Sequence, residues 1–172
     1  MKKKNSFTNR LLKRHQKKLS FFSCIKSGIK GLIAISGVSA LGYFSDHTLI
    51  IAPFAASCIT IFTTPDDEFA QPINVIGGYF IATALGLITV HLFPHEWWAL
   101  GPMLAITIST MAYFRVTHPP AGAVPFLLYF YHSDAGPLFL VLPTMTGCIA
   151  LVSIALVLQR LPKSRKYPRN IK

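Results

Sequence analysis

The stretch "RVTHPPAGAVPFLL", residues 115–128, contains the residues best placed for chemistry, because it sets a cation, a histidine and two prolines beside an apolar run. Proline lacks an amide hydrogen and has a fixed φ, so Pro119 and Pro120 favour the first turn of a helix. The amides of the small residues 121–123 would then be free at a helix amino terminus, which carries a partial positive charge. This pattern is typical of an anion site.

Two further stretches also begin an apolar segment with proline followed by small or polar residues. Pro53 opens "PFAASCITIF", where residues 55–57 would supply a pseudo-equivalent set of free amides. In "QPINVIGG", Asn74 is costly within an apolar span unless it is hydrogen bonded. Gly77 and Gly78 have no side chains, so they leave little bulk between this helix and the proposed site. The candidate substrate-binding residues from the three stretches are His118, Pro119, Pro120, Ala121, Gly122, Ser57, Asn74, Gln71, Gly77, Gly78, Thr117 and Arg115.

Structural roles compete with this interpretation. Kinked membrane helices with proline and small residues are common for packing alone, and Asn74 can simply bond a neighbouring helix. Arg115 can act as an interfacial anchor whose charge reaches water. His91 and His95 share i, i+4 spacing, but Pro94 intervenes and no third ligand follows, so the sequence predicts no metal site.

The sequence contains no pattern for catalysis or for a cofactor. It has no nucleophile motif, no phosphate-binding loop, no paired carboxylates within its apolar segments and no CxxC. Its three cysteines are odd in number and lack the spacing of a disulfide or zinc site. We therefore expect the protein to be neither an enzyme nor a carrier of a cofactor.

Positive charge lies at the two ends of the chain. Of the 17 Lys and Arg, ten fall in residues 1–30 and six in 160–172, so Arg115 alone lies between them. Cytoplasmic flanks collect basic residues, which predicts two cytoplasmic termini and an even number of crossings of the cell membrane. A net charge of +11 would also suit nucleic acid, but no recognition motif accompanies it, and nucleic-acid binding is not expected.

The charge distribution divides the chain into a basic segment, 1–26, a membrane domain, 27–159, and a basic tail, 160–172. Within 1–26, apolar and basic residues alternate at near-helical spacing, which favours an amphipathic helix on anionic lipid. A disordered basic tail is the alternative. The apolar stretch that follows has no good cleavage site, so we expect a retained first span.

Four stretches are long and apolar enough to cross a bilayer core of about 30 Å. They cover residues 27–44, 72–93, 97–114 and 137–158. Two shorter apolar stretches, 49–63 and 119–131, begin their helices at proline and rise only about 18 Å, so they predict half-helices. The predicted fold class is an all-α integral membrane protein with four long transmembrane helices and two short proline-started half-helices.

The order span, half-helix, span occurs twice, which indicates a weak internal repeat. If the half-helices are re-entrant, the chain crosses the bilayer four times and Arg115 lies outside. If they pass through with extended backbone, there are six crossings, the halves form a 3+3 inverted pseudo-repeat and Arg115 faces the cytoplasm. The charge rule slightly favours six crossings.

Small residues recur every four positions on two of the spans, which predicts close helix contacts. One stripe is Gly78, Ala82 and Gly86, and the other is Gly101, Ala105 and Ser109. A domain this small needs a partner copy to enclose a pathway, so we expect a homo-oligomer.

The stretches "QPINVIGG" (71–78) and "THPPAGA" (117–123) resemble the HPP family of small integral membrane proteins, named for His-Pro-Pro. The likeness extends over residues 31–158 and includes Pro143 and Gly147 of the last span. It implies four predicted spans and, because plastid and cyanobacterial relatives are regarded as nitrite transporters, transport of a nitrite-like anion. The family pattern often has a basic residue where this chain has Ile73.

Together these observations predict a multi-pass transporter of a small inorganic anion, with nitrite the best single guess and lipid its surroundings. Broken helices near the bilayer midplane are a usual construction of a transport site. His118 is the residue best suited to carry a coupled proton. Two alternatives stay open, which are a non-transporting membrane anchor or regulatory subunit and a carrier of a neutral or cationic solute.

Overall fold

The computed structural model describes residues 11–14, 16, 18–131, 134–161 and 167–169, and within them the protein is all-helical, as predicted. Short 3₁₀ turns and one π-helical segment join six α-helices in this part of the chain. The helices are α1 (Phe21–Phe44), α2 (Pro53–Thr63), α3 (Pro72–Leu92), α4 (Leu100–Tyr113), α5 (Val124–Tyr131) and α6 (Thr146–Arg160).

Three helices of the described chain are long and apolar enough to cross a membrane. Two are α1 and α3, and the third is Leu140–Arg160, in which the π-helical segment Leu140–Met145 precedes α6. Leu142 has extended backbone angles (φ −124°, ψ 122°), so this third helix is broken near its start.

The fourth predicted span, 97–114, is shorter than expected. It begins with a 3₁₀ turn, Trp97–Ala99, and α4 then has 14 residues and rises about 21 Å. Pro102 lacks an amide hydrogen and fits only a first helical turn, which fixes the start of α4 near Leu100. Four long helices are therefore not found among the described residues.

The two predicted half-helices are short helical segments. α2 has 11 residues, whereas the second segment consists of a 3₁₀ turn, Pro119–Ala123, followed by the eight residues of α5. The sequence predicted a helix starting at Pro119, but α-helical bonding begins only at Val124. The reason is that Pro125 cannot donate to the Ala121 carbonyl, which accepts the Val124 amide instead.

α1 begins and α6 ends on the same side of the bundle, which we call the tail side. Lys30 Nζ donates to Gln159 Oε1 at 2.6 Å, and Gln159 Nε2 donates to the Ile61 carbonyl near the end of α2 at 2.8 Å. Tyr167 Oη donates to the Ala70 carbonyl, just before α3, at 2.8 Å. The end of α2 and the start of α3 therefore also lie on the tail side.

The end of α3 and the loop that precedes the last helix lie on the opposite side, which we call the far side. His91 Nε2 lies 3.3 Å from the Ala135 carbonyl oxygen. The ring of His95 stacks on that of Tyr129, near the end of α5, with 4.3 Å between centroids. α3 thus runs from the tail side to the far side, and α6 runs back.

The two short segments start next to each other in the interior of the bundle and diverge from there. Ser57, in the second turn of α2, bonds His118, which directly precedes the second segment. From this junction α2 leads to the tail side and α5 leads to the far side. Residues from both starts line one apolar groove, formed by Ala52, Pro53, Ala56, Pro119, Pro120 and Ala123 with four aromatic and aliphatic residues of α5.

α3 occupies the centre of the bundle, and its glycines allow close backbone contacts. A Cβ at Gly78 would lie 2.7 Å from the Cβ of His118, and one at Gly86 would lie 3.3 Å from the Cα of Pro125. The first small-residue stripe therefore packs in the interior, as predicted. The second stripe is solvent-accessible along α4: Gly101, Ala105 and Ser109 are all exposed.

α1 and α4 end with the same backbone turn. Asp46 and Arg115 follow them in the left-handed conformation, with φ of 56° and 59°. In each case the next residue donates its amide to the carbonyl five residues back, at 3.0 Å. This is the Schellman arrangement, which usually has glycine at the left-handed position.

The basic segment predicted to be amphipathic lies partly outside the described residues, which omit 1–10, 15 and 17. Residues 12–14 and 18–20 are irregular, and α1 begins after Ser20, whose Oγ accepts the Ser23 amide at 3.3 Å. Of the basic tail, 160–161 and 167–169 are described.

Candidate functional site

Ser57, Tyr79 and His118 form a fully buried polar cluster at the junction of the two short segments. Ser57 Oγ lies 2.7 Å from Tyr79 Oη and 2.8 Å from His118 Nε2. All three residues are 0% exposed. Polar side chains buried at this depth are costly unless each finds a hydrogen-bond partner, and here each does.

The partner of the other His118 nitrogen sets the direction of the hydrogen bonds. His118 Nδ1 lies 2.7 Å from the Phe69 carbonyl oxygen, which can only accept, so Nδ1 carries the hydrogen. In the neutral ring Nε2 then accepts from the Ser57 hydroxyl, and Ser57 accepts from Tyr79. Protonation of Nε2 would require Ser57 to turn and donate to Tyr79 or to the Pro53 carbonyl, which is 3.4 Å from its Oγ. The hydrogen bond between Ser57 and His118 can therefore reverse when Nε2 gains a proton.

An open pocket of about 870 Å³ lies on the tail side of this cluster, and we call it the vestibule. Arg115 and Arg169 are the basic residues among its lining, and Glu68 is the acidic one, with its Oε1 4.0 Å from Arg169 Nη1. The Arg169–Glu68 pair is exposed and long, so it neutralises little of the charge. The vestibule is lined by Glu68, Phe69, Gln71, Pro72, Ile73, Asn74, Arg115, Thr117, Pro168 and Arg169.

Two amide side chains hold the vestibule walls in place. Asn74 Nδ2 donates to the Thr117 carbonyl at 3.2 Å, which joins α3 to the segment before the second half-helix. Gln71 Nε2 donates to the carbonyls of Pro65 and Asp67, both at 2.9 Å, and its Oε1 accepts the Arg169 amide at 2.8 Å. Asn74 thus bonds a neighbouring segment, as the structural interpretation of this residue expected.

Gly77 and Gly78 allow that segment to lie directly against α3. A Cβ at Gly77 would lie 2.9 Å from the Cβ of Val116, and one at Gly78 would also lie 3.1 Å from the Val116 carbonyl oxygen. Such separations are shorter than side chains tolerate, so the two glycines position His118 beside Tyr79.

Two of the amides predicted to be free after the prolines are hydrogen bonded instead. The Ala121 amide donates to the His118 carbonyl at 3.0 Å, and the Ala55 amide donates to the Ala52 carbonyl at 3.1 Å. Each of these two amides bonds the carbonyl three residues back, as in a 3₁₀ turn, so neither is available to an anion. The prolines face the apolar groove, and a Cβ at Gly122 would touch only Leu104.

The predicted site residues therefore separate into three groups. Gln71, Asn74, Thr117 and Arg115 line the vestibule, and Ser57 and His118 form the buried cluster. Gly77 and Gly78 bring the vestibule residues and the buried cluster close together. The remaining predicted residues form the second short segment and do not line the vestibule; they are Pro119, Pro120, Ala121 and Gly122.

Sequence reasoning did not predict Tyr79, Arg169 or Tyr167. Tyr79 lies in an apolar span, where the sequence does not distinguish it from an aromatic residue of the core. Tyr167 is 3% exposed and holds the tail against the vestibule rim, and burial raises the pKa of its hydroxyl to about 12. It therefore stays a hydrogen-bond donor to Ala70 at physiological pH.

A second polar cluster, also not predicted, lies at the end of α2. Ser27 Oγ donates to the Phe62 carbonyl at 2.8 Å, while Gln159 donates to Ile61 and accepts from Lys30. The last carbonyls of a helix have no partner within it, and Lys30 places positive charge near this negative helix end. The cluster fixes the short helix at its tail-side end.

Comparison with known proteins identifies the membrane family. The family model of the HPP transmembrane region matches residues 16–168. The chain belongs to the HPP family. It is also 30% identical over 126 residues to a transmembrane protein of Dictyostelium discoideum, covering 70% of this chain and 44% of that protein. A second Dictyostelium discoideum transmembrane protein is 26% identical over 125 residues, covering 69% of this chain and 40% of its own length.

This HPP protein thus spans less than half the length of the two relatives it matches. No solved structure matches it significantly. Family membership and its long apolar helices make it an integral membrane protein surrounded by lipid.

Proposed function

We propose that this HPP protein transports a small inorganic anion across the cell membrane, without converting it chemically. The observation that carries the proposal is the buried Ser57–Tyr79–His118 cluster, which lies where two broken segments meet and next to a vestibule bearing two arginines. Non-helical backbone at membrane depth is tolerated where it is buried or lines a pathway, and broken helices often build transport sites.

The route of the chain supports six crossings in two inverted halves. α1 leaves the tail side, α2 returns to it and α3 leaves it again. α4, the second short segment and α6 follow the opposite sequence of directions. The matching Schellman turns at Asp46 and Arg115 precede the two short segments at corresponding positions of the halves. With the start of α1 and the end of α6 on the tail side, the charge rule assigns that side, and Arg115, to the cytoplasm.

The charges of the vestibule favour an anion. Arg115 and Arg169 outnumber Glu68 on its walls, and the resemblance to the HPP family makes nitrite the best single guess. Ile73, where the family pattern often has a basic residue, also lines the vestibule, so Arg115 and Arg169 supply the positive charge in this chain. A neutral or cationic solute is the alternative, because the polar groups of the cluster accept as well as donate.

Entry of a monovalent anion into a negative cell interior is opposed by about 2.3 kcal/mol per 100 mV. Uptake therefore requires a gradient or a coupled proton, and His118 is our candidate for the proton carrier because its hydrogen bonds can reverse. If so, uptake of the anion together with a proton is faster at an outside pH of about 6 than of about 8, because the lower outside pH strengthens the inward proton gradient. Equal rates at the two values would exclude coupling through His118.

A second copy of the chain completes the pathway in this proposal. The apolar groove at the junction leaves Ala52, Pro119 and Ala123 exposed, although irregular backbone does not face lipid within a bilayer. The exposed stripe on α4 offers a surface where a second backbone can approach closely.

The test is uptake of nitrite, with nitrate and chloride for comparison, into proteoliposomes holding wild-type protein, His118→Ala or Ser57→Ala. We expect saturable nitrite entry in the wild type and a loss of about tenfold or more in both variants, because each leaves a buried polar group unpaired. Lys13→Ala, in the basic segment, is a control that should transport normally.

Absence of any anion movement by the wild type, under a proton gradient of either direction, would contradict the proposal. The membrane-anchor function would then take first place, and it predicts that loss of residues 1–25 matters while His118→Ala does not. Uptake of a neutral or cationic solute that His118→Ala abolishes would retain the site and correct the substrate.

A further inference from the structure

Two threonine hydroxyls in the interior have no hydrogen-bond partner. Thr83 in α3 and Thr144 in the broken start of the last helix are both 0% exposed. Among the described residues, their Oγ1 atoms are the buried side-chain nitrogens or oxygens that lack a partner. A hydroxyl left unpaired in this way is destabilising, whereas the other threonines of the buried core bond their own helix.

The antiparallel packing of α3 and the last helix sets these two threonines at the same level. The Phe54 ring lies 5.0 Å from the Tyr79 ring and also contacts the position of Gly147, so Tyr79 and Gly147 are level. His91 lies 12 residues after Tyr79 on α3, and it contacts Ala135, which lies 12 residues before Gly147. The two segments therefore run in opposite directions. Four residues from these level positions, Thr83 lies at the level of residues 143–144, and α3 packs against the segment Leu140–Met145.

The helix break at Leu142 lies next to Thr144 and determines which polar groups are near it. The Val141 carbonyl accepts both the amide and the hydroxyl of Thr146, the latter at 3.0 Å, and the Pro143 carbonyl accepts the same amide. These two carbonyl oxygens therefore already accept hydrogen bonds. The two unpaired hydroxyls can donate, and the helix dipole of α6 is positive at its start, so both features favour an anion at this level.

We infer that Thr83 and Thr144 form an inner station for the transported anion, separate from the Ser57–Tyr79–His118 cluster. Thr83 lies four residues beyond Tyr79 on α3, about 6 Å further toward the far side. Along α3, Thr83 then lies between Tyr79, which belongs to the buried cluster, and His91, which lies at the far side. This inference rests on the proposed function and gives it a route.

The test replaces the hydroxyls by methyl groups in Thr83→Val and Thr144→Val, singly and together. Valine has the shape of threonine, so an unpaired hydroxyl without function should be lost with no effect on uptake and with a higher melting temperature. The station predicts that nitrite uptake by proteoliposomes at low concentration falls about tenfold or more in the double variant while the melting temperature holds or rises. Thr107→Val is the matched control, because Thr107 is 1% exposed and bonds the Met103 carbonyl.

Thr83→Ser with Thr144→Ser keeps both hydroxyls and should restore uptake. Sodium nitrite should raise the melting temperature of the purified wild type, and this shift should shrink in the valine double variant. Normal uptake and an unchanged shift in that variant would overturn the station and leave the proposed function intact. A wild type that neither moves nor is stabilised by nitrite, nitrate or chloride would overturn both.

Discussion

Arg115 combines a charge on the vestibule with an unfavourable backbone conformation. Its φ of 59° lies in the left-handed region, which costs a residue with a side chain roughly 1 to 2 kcal/mol compared with glycine. The Schellman turn requires this conformation, but the turn does not require arginine. The side chain is therefore explained better by its charge than by its role in the turn.

Replacing Arg115 by glycine separates these two roles. Arg115→Gly should leave the protein as stable or up to about 1 kcal/mol more stable, because glycine adopts a left-handed conformation freely. The KM for nitrite should rise about fivefold, which is the scale of one exposed charge interaction, and should depend less on salt. Kinetics of uptake at two salt concentrations and a thermal melt measure both effects.

Arg115→Lys is the control for the charge, and it should retain most of the affinity without gaining stability. An unchanged KM in Arg115→Gly would mean that the arginine only anchors the loop at the membrane surface.

The residues of the site differ in how far the sequence could predict them. Asn74, Ser57 and His118 could be predicted as site residues because each is an isolated polar residue near a proline that begins an apolar stretch. Such features are local in the sequence and rare. Tyr79 and Thr83 joined the site only through packing of α3 against distant segments, which no local pattern encodes. The Ala121 amide was predicted to be free and is not, because it belongs to a 3₁₀ turn that precedes Pro125 where an α-helix was expected.

At the scale of the elements, the contact between α3 and the segment 116–118 positions the site. A methyl group at Gly78 would overlap His118, so Gly78→Ala should destabilise the protein by about 1 to 3 kcal/mol and reduce uptake. Gly31→Ala in α1 is the matched control, since a Cβ there has no neighbour within 4 Å and alanine favours the helix. Thermal unfolding in detergent compares the two variants.

Equal melting temperatures for Gly78→Ala and Gly31→Ala would show that the segment can move away from α3 at little cost. The close contact would then not be what orients His118.

Hydropathy predicted the long helices of this bundle because apolar length is a property of each segment alone. It overestimated α4, whose start depends on where Pro102 can be accommodated. The meeting of the two short segments depends on their directions in space, which sequence order left undecided between four and six crossings.

At the scale of the whole molecule, the two topologies predict opposite sides for the same loops. Six crossings place Asp66 and Arg115 with the termini and His95 across the membrane, whereas four crossings reverse these sides. The contact of Tyr167 with Ala70 favours six, because it joins the tail to the loop that holds Asp66 without crossing the bundle. The inverted halves, and therefore the meeting of the half-helices inside the membrane, depend on this choice.

Cysteine accessibility in sealed vesicles decides between them. Cys24 is exposed near the start of α1 and reports the side of the amino-terminal end, while Cys58 and Cys148 are buried. With Cys24 replaced by serine, Asp66→Cys should react with a membrane-impermeant maleimide only from the side on which Cys24 reacts in the wild type. His95→Cys should react only from the other side. The reverse pattern would make the short segments re-entrant, in which case their starts would approach the junction from the same face and the inverted repeat would be lost.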